Sequence, residues 1–383
     1  MKRQLEHMRS GSVKDLVKDQ DGQLYFSFSD RYSIFDWGEM PDGIENKGMA
    51  LSYFAQAFFS ILESPDLWQK WSMSLGHYSY INQNYIDEFS KNGLKTHMIS
   101  DKKEVWKEGL LPIKAFEVIH PEIEDTSNGQ EYCYDAYNSR PESSLVPLEV
   151  IFRFGAPKGS SLFKRIGNDQ YRSEIGLEII PKEGDLFEKP VIEFSTKLEK
   201  EDKILSYSDA KKIAGLSERE FDRLLNMTKI LALRCQSIFR EGKVFLWDGK
   251  FEFAFDQKDN QGDRDFVIID SIGPDELRLS SQGISLSKEN LRNCYRDSSW
   301  YGRIEQAKKT AKEKGILDWK NHYFSLFPNE GPANLEESQL KVFSNMYCAL
   351  ANSLAISLGD EKPFPNASEL LEVVNELGSL KGE

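Results

Sequence analysis

The sequence predicts an α+β protein built mainly on antiparallel sheets, with helices towards its C-terminus. Strand-like segments joined by tight turns open the chain, mixed elements fill its middle, and long helical segments close it. The 383 residues are 39% hydrophobic and 29% charged, which is typical of a soluble globular protein rather than a disordered one. The length predicts two or three closely packed units.

The first half of the chain is read mainly as strands. Within residues 11–30, GSVKDLVKD and QLYFSFSD flank the turn QDG and predict a hairpin. Residues 47–64, KGMALSYFAQAFFSILES, carry the wide apolar face of a helix. Turn-rich pieces dominate 61–146, with short strand candidates at KTHMIS and LPIKAFEVI. Residues 147–155, PLEVIFRFG, predict a strand that the loop APKGSS follows.

The clearest helix is predicted over residues 217–240. Ser217 and Glu220 have the spacing of a capping box, and Gly242 is placed to end the helix. One apolar face is predicted to hold Phe221, Leu224, Leu225, Leu231, Cys235, Ile238 and Phe239. The C-terminal part is also predicted to be helical, over residues 287–315 and about 335–358.

Charge and cysteine content exclude several functional classes. The net charge of −13 argues against non-specific nucleic-acid binding, which needs a broad cationic surface. The first residues lack the apolar core of a signal peptide, and no stretch approaches the roughly 18 apolar residues of a membrane span. Four scattered cysteines without zinc spacing indicate reduced thiols in the cytoplasm.

The segment FLWDGKFEFAFDQKDNQGDRDFVIIDS, residues 245–271, places charges among large apolar residues. Strand alternation puts Asp248, Lys250 and Glu252 on one face. The other face is predicted to enter the core with Trp247, Phe251, Phe253 and Phe255.

The same hairpin predicts a metal site. If it is symmetric about Gln261, Glu252 lies opposite Asp270, and directly opposed like charges destabilise a sheet. A divalent cation removes this conflict, and carboxylates beside phosphates are preferred by Mg²⁺. The alternative is a solvated face on which Lys250 neutralises its neighbours.

Two glycine-containing segments could hold an anion. In GSVKDL, residues 11–16, the Gly-Ser turn allows a close approach to a phosphate and Lys14 adds charge; the alternative is an ordinary hairpin with a surface lysine. In RFGAPKGSSLFKR, residues 153–165, an arginine ends a strand and the loop offers Ser160 and Ser161; the alternative is a flexible surface loop.

Further charges complete a kinase-type pattern. Lys197 and Asp202 lie in the charge-dense EFSTKLEKEDKILS, which could equally be solvated surface. Arg278 follows the turn after Asp270, where it could bind a phosphate or carboxylate or pair with a nearby acid. A glycine-containing hairpin over a nucleotide, a lysine on phosphate and metal-binding acids on a later hairpin would together suit phosphoryl transfer.

Eight segments, taken in order over about residues 10–300, resemble the SAICAR synthetase (phosphoribosylaminoimidazole-succinocarboxamide synthase) family of purine biosynthesis. They are GSVKDL, FSDRYSIFD, KGMALS, PLEVIFRFGAPKGSSL, FSTKLEKEDKILS, FLWDGKFEFAF, IIDSIGPDELRL and LSKENLRNCYRDSSW. The resemblance implies a cytoplasmic ligase that uses ATP and Mg²⁺ to join L-aspartate to the carboxylate of CAIR. The product is SAICAR, with ADP and phosphate, through an acyl-phosphate intermediate.

The resemblance also implies an architecture. A small N-terminal antiparallel-sheet lobe, residues 1–146, would clamp ATP in a kinase- or ATP-grasp-like manner and contain an unusual insertion at about 61–146. Residues 147–300 would form a larger α+β lobe that binds ATP and substrates, and 301–383 a helical extension. The ATP base would meet a hinge around Leu145 to Glu149. The partners are small molecules, without nucleic acid or membrane, and a homo-oligomer is compatible with the sequence.

Residue roles are carried over position by position. Catalytic roles are implied for Asp248, Lys250 and Arg278, and metal ligation for Glu252 and Asp270. The implied nucleotide-binding residues are Gly11, Ser12, Lys14, Glu149, Lys197, Glu252 and Asp270. The implied substrate-binding residues are Asp36, Arg153, Ser160, Ser161, Asp202, Arg278 and Arg292. Two alternatives remain: a related ligase or kinase acting on another carboxylate, and a nucleotide-binding relative without catalysis.

Overall fold

The computed structural model describes residues 3–380 except 75, 77, 79, 101–104, 127 and 128. Its strands are β1 (Leu5–Ser10), β2 (Lys14–Asp19), β3 (Leu24–Phe28), β4 (Leu110–Ile113), β5 (Glu122–Thr126), β6 (Gly129–Cys133), β7 (Leu145–Gly155), β8 (Leu186–Thr196), β9 (Ile204–Leu205), β10 (Phe245–Lys258), β11 (Arg264–Ile269), β12 (Leu277–Ser281) and β13 (Ile284–Ser285). Its helices are α1 (Lys47–Glu63), α2 (Pro65–Ser74), α3 (Gln83–Asn92), α4 (Asp169–Glu174), α5 (Tyr207–Ile213), α6 (Glu218–Glu241), α7 (Lys288–Arg296), α8 (Ser299–Glu313), α9 (Trp319–Leu326), α10 (Glu337–Leu358) and α11 (Leu370–Ser379).

The N-terminal sheet has the order β1-β2-β3-β4, and all its pairs are antiparallel. The hairpin predicted within residues 11–30 is confirmed as β2 and β3, with Lys14 opposite Phe28. KTHMIS does not form a full strand. Its Thr96 and Met98 make single bridges, to Ile268 and Ile113 respectively, so that this segment joins the N-terminal sheet to β11.

The central sheet is also antiparallel and has the order β13-β12-β10-β7-β8-β9. The long strand β10 organises it. One edge of β10 pairs with β7, while the other edge pairs first with β12 and then with β11. Asp248 and Gly249 therefore pair with β7 on one side and with β12 on the other, so that side chains from three strands lie close together there.

The register of the β10–β11 hairpin differs by one residue from the prediction. Next to the turn, Lys258 lies opposite Arg264, which is symmetric about Gln261 as predicted. A bulge between Phe255 and Lys258 then adds one residue to β10, so that Glu252 lies opposite Ile269 rather than Asp270. The argument that Glu252 and Asp270 oppose each other directly is therefore wrong.

The prediction that β10 has one core-facing side is confirmed for all of its named residues except Trp247. Phe251, Phe253 and Phe255 are buried in the core. Trp247 is only half-buried, and its indole N–H donates to Ser280 Oγ at 2.9 Å. A second register shift, between Leu246 and Asp248, puts Leu246 into the core in its place.

The helices surround this sheet. The capping box at the start of α6 is confirmed, and α6 packs against β7, β8 and β10. The predicted helix at about 335–358 is confirmed as α10, which packs against α1. The helices α9 and α11 lie in the predicted helical extension, although the sequence did not give their individual bounds. The expected boundary between residues 146 and 147 falls inside β7. Over the described ranges, no helix is both long and apolar enough to cross a membrane.

Candidate active site

A cleft of about 470 Å³ opens between the N-terminal and central sheets. It is lined by ten of the predicted site residues: Ser12, Asp36, Glu149, Arg153, Ser161, Asp202, Asp248, Lys250, Arg278 and Arg292. A larger cavity of about 930 Å³ lies between α1 and the segment after α10, and it contains none of them. The concentration of charged groups, rather than size, identifies the smaller cleft as the candidate active site.

Lys14 joins the two sheets beside the cleft. From β2, its ammonium forms an ion pair with Asp270 and donates to Ser271 Oγ at 3.0 Å. The same group lies over the rings of Phe26 and Phe28, at 4.9 and 5.5 Å from their centroids. Lys14 is therefore held between an apolar floor and an acid from the other sheet.

Two further lysines share two glutamates. Lys197 Nζ lies 2.6 Å from Glu252 Oε1 and 3.9 Å from Glu149 Oε1. Lys250 forms an ion pair with Glu149, and its Nζ lies 3.3 Å from Glu252 Oε1. With Lys14 and Asp270, three lysines from three strands or their ends balance three carboxylates.

Two members of this cluster, Asp270 and Lys250, have pKa values shifted towards their charged forms. Burial opposes the ionisation of Asp270, but Lys14, Lys197 and Lys250 hold the pKa of its carboxyl well below the usual range. Burial likewise opposes the charge of Lys250, yet Glu252 and Glu149 raise the pKa of its ammonium well above the usual value. An anion or a cation entering this cluster would change the charge balance and redistribute these ion pairs.

Asp270 has a left-handed backbone conformation, with φ of 68°. Such conformations are uncommon for residues other than glycine and concentrate at functional sites. The backbone carbonyl of Asp270 lies 3.1 Å from Nε2 of the buried His97. Burial lowers the pKa of His97 to about 4, so that its imidazole is neutral at pH 7.

The guanidinium of Arg153 is held in place by hydrogen bonds to neighbouring side chains. Its Nη1 lies 3.0 Å from Asp248 Oδ2 and 3.4 Å from Ser160 Oγ, and its Nη2 lies 3.3 Å from Ser161 Oγ. Its Nε donates to Glu193, whose side chain is fully buried. The two serines that the sequence could not rank thus both contact the same guanidinium.

Glu193 was missed by the sequence reasoning. Besides Arg153, it binds Arg165 Nη2 at 2.5 Å and the hydroxyl of Tyr171. Burial opposes its charge, but Arg153 and Arg165 hold the pKa of Glu193 below the usual value. The available signal was a single acid inside the apolar run PVIEF, since a buried charge needs partners.

Asp248 lies at the centre of a row across three strands. It is opposite Arg153 on β7 and opposite Arg278 on β12. Arg278 Nε is 3.6 Å from Asp248 Oδ1, whereas Arg278 Nη1 is buried without a hydrogen-bond partner among the described residues. A buried guanidinium N–H in a cleft is a donor available to a carboxylate or phosphate.

The remaining predicted residues lie at the margin. Asp36 lines the cleft and binds Lys308 Nζ at 2.8 Å, and Arg292 lines it while pairing with Glu289 at 3.1 Å. Asp202 is exposed at the cleft. Gly11 shapes the turn before Lys14, because its N–H donates to the Lys14 carbonyl at 3.0 Å and a Cβ would lie 2.5 Å from that oxygen.

Comparison with known proteins identifies the family. Residues 7–308 match the family model described as SAICAR synthetase. The chain is 34% identical over 375 residues to the putative phosphoribosylaminoimidazole-succinocarboxamide synthase of Archaeoglobus fulgidus, which covers 96% of this chain and 98% of that protein. The chain belongs to the SAICAR synthetase family.

A second relative supports the same family, and a solved structure supports the same fold. The phosphoribosylaminoimidazole-succinocarboxamide synthase of Thermoplasma acidophilum is 28% identical over 309 residues, covering 78% of this chain and 86% of that protein. The structure of the Saccharomyces cerevisiae SAICAR synthase complexed with SAICAR has a TM-score of 0.56 at 17% identity, covers 94% of this chain and 98% of that one, and shows the same fold. SAICAR synthetase membership confirms the predicted fold class, enzyme class and ligation of L-aspartate to CAIR, and favours neither alternative.

Proposed function

We propose that the cleft between the two sheets performs the ATP-dependent ligation of aspartate to CAIR, with Lys14, Lys197 and Lys250 binding the phosphates of ATP. The observation that carries this assignment is the convergence of these lysines, from both sheets, on Glu149, Glu252 and Asp270. Phosphoryl transfer depends mainly on positioning and on neutralising phosphate charge, which such a cluster supplies.

The adenine base is assigned to an apolar surface beside these lysines. Its buried members are Leu145, Ala254, Val267 and Ile269, and the half-buried Phe116 and Leu198 pack against them. Leu198 follows Lys197 directly, and Leu145 begins the strand that carries Glu149. A flat apolar base next to a charged phosphate site suits this arrangement. The turn at Gly11 and Ser12 would then cover the phosphates, with residues 1–146 acting as the clamping lobe against 147–300.

Glu252 and Asp270 are proposed to hold Mg²⁺. Over the described ranges, no three acid, histidine or cysteine side chains gather as a complete metal cage. Mg²⁺ in nucleotide sites needs only one or two carboxylates because phosphates and water supply the other ligands, so these two acids fit it. When bound, the ion would neutralise negative charge on the phosphate oxygens.

The row of Arg153, Asp248 and Arg278 is proposed to face CAIR and aspartate. In the first step the CAIR carboxylate attacks the terminal phosphorus of ATP, and ADP leaves. In the second step the aspartate amine attacks the acyl carbon, the C–O bond to phosphate breaks, and the amine loses a proton. Arg278 Nη1, which is buried without a partner in the described part of the chain, would bind a substrate carboxylate during these steps. Asp36, Ser160, Ser161, Asp202 and Arg292 would complete the substrate contacts.

The direct test is an assay with CAIR, aspartate and ATP that measures ADP and SAICAR together. We expect ADP release to depend on both other substrates. ADP release that does not depend on aspartate would instead favour the kinase-like alternative, and no ADP release would contradict the ligase assignment. Lys197→Ala should lose activity, whereas Lys95→Ala, which removes a side chain that is 59% exposed, should retain it.

We also propose a compartment and a place for the C-terminal helices. The four cysteines are unpaired thiols, which supports a reducing compartment such as the cytoplasm. The helical part from residue 301 onwards is proposed as an extension packed outside the two lobes. A homo-oligomer stays a prediction that a molar-mass measurement in solution would test.

A further inference from the structure

A buried cluster of charges surrounds Asp275, outside the set of residues assigned above. The Asp275 side chain is 1% exposed and lies 2.9 Å from Lys47 Nζ and 3.2 Å from Lys288 Nζ. The hydroxyl of Tyr347 donates to its Oδ1 at 2.7 Å. These three partners come from the start of α1, the start of α7 and the middle of α10. One carboxylate therefore ties together helices from both ends of the chain.

The cluster holds Asp275 in one place. Burial opposes its charge, but Lys288 and Lys47 hold the pKa of Asp275 well below the usual range, so that it is an anion. The Lys47 ammonium also lies 5.4 Å from the centre of the Tyr347 ring. A buried carboxylate needs all of its partners, because an uncompensated buried charge is costly.

Asp275 lies in the segment of residues 271–277, which connects Asp270 to Arg278. Within this segment, Ser271 accepts a hydrogen bond from Lys14, and the Glu276 carbonyl accepts one from the Lys250 backbone N–H at 3.2 Å. The segment thus contacts the phosphate-binding lysines at both of its ends. Because this segment leads directly into β12, its position determines where Arg278 lies in the cleft.

We infer that Tyr347 is a positioning residue for the reaction, acting through Asp275 on the segment that leads to Arg278. Tyr347 lies beyond residues 7–308, the part of the chain that matches the family model. The C-terminal extension therefore does more than cover the core: it supplies the third partner of a carboxylate at the wall of the cleft. This inference rests on the proposed substrate-binding role of Arg278.

The test compares Tyr347→Phe with a matched control, Tyr53→Phe. Tyr53 is a buried tyrosine on α1 whose hydroxyl has no hydrogen-bond partner among the described residues, and it lines the other cavity. Apparent KM for CAIR, aspartate and ATP and kcat are measured for both variants and the wild type. We expect Tyr347→Phe to raise the KM for CAIR or aspartate about tenfold, equal to about 1.4 kcal/mol, with ATP unchanged. The control should match the wild type.

A second measurement does not depend on activity. Amide hydrogen exchange of residues 271–278 in the full chain should be faster in Tyr347→Phe than in the wild type and unchanged in Tyr53→Phe. Unchanged KM values and exchange in Tyr347→Phe would overturn the inference, as would a loss of kcat alone that follows a lower Tm. An inactive wild type would contradict the proposed function instead, and the exchange experiment would still decide whether Tyr347 orders the segment.

Discussion

Replacing Glu252 by Gln tests the proposed phosphate and metal site most directly. The Glu252 side chain is 6% exposed and lies 2.6 Å from Lys197 Nζ and 3.3 Å from Lys250 Nζ. The amide keeps the shape but removes the charge, so that three lysines face only two carboxylates. A hydrogen bond to a charged group exceeds a neutral one by about 1 kcal/mol, so two such bonds predict a loss of about 2 kcal/mol of unfolding free energy.

The loss of catalytic activity should exceed the loss of unfolding free energy. We expect Glu252→Gln to reduce kcat/KM by at least about 100-fold, or about 2.7 kcal/mol of transition-state stabilisation, because a proposed Mg²⁺ ligand is lost. ATP binding measured without metal should not weaken, since the added positive charge favours phosphate. Calorimetric titration with ATP and activity measured over a series of Mg²⁺ concentrations separate the two effects.

Glu220→Gln provides the matched control. Glu220 is another buried glutamate, bound to Arg264 Nε at 2.9 Å and to Arg140 Nη2 at 2.8 Å, and it lies outside the cleft. It should lose at least as much stability, because its carboxylate accepts five hydrogen bonds, while its Mg²⁺ requirement stays unchanged. The reasoning fails if Glu252→Gln keeps wild-type activity at every Mg²⁺ concentration. It also fails if this variant unfolds while Mg²⁺ has no effect on the wild type, because Glu252 would then have a structural role.

Three other predictions concern neighbouring residues. Arg278→Ala should raise the apparent KM for CAIR or aspartate more than that for ATP, and equal changes in all three would argue against a substrate-side role. Gly249→Ala should cost about 1–3 kcal/mol in urea denaturation, because its Cβ would lie 2.4 Å from Leu277 Cδ2 and 2.8 Å from the Phe152 ring; full stability would contradict this packing. Burial depresses the pKa of His97 to about 4. The free energy of unfolding should therefore be unaffected by this residue above pH 6.5 and should fall by about 3 kcal/mol as the pH is lowered towards 4, because the imidazole is protonated more readily in the unfolded chain. His97→Gln should therefore flatten the acid side of the stability profile, and an unchanged profile would refute the buried neutral imidazole.

Sequence periodicity determined the direction of side chains within single elements. Alternation correctly put Asp248, Lys250 and Glu252 on the face opposite Phe251 and Phe253, and the capping box correctly began α6. These features follow from local geometry, in which side chains repeat every two residues in a strand and a cap bonds within one turn. The eight ordered segments also indicated the family, because their residue types and their order can be read along the chain without knowing which strands pair.

Pairing between elements was decided only by the tertiary structure. The bulge after Phe255 has no reliable signature in the sequence, yet it moves Glu252 from Asp270 to Ile269. Glu252 instead forms ion pairs with Lys197 and Lys250, and the charges of the same two lysines help to lower the pKa of Asp270.

The same reason explains the residues that were missed. Glu193 and Tyr347 appear in the sequence as one acid in an apolar strand and one tyrosine in an apolar helix. Their importance comes from Arg153 and Asp275, which are distant in the chain and buried against them. A buried charge takes the partners that packing brings to it, so the sequence shows that partners are needed and only the tertiary structure shows which residues they are.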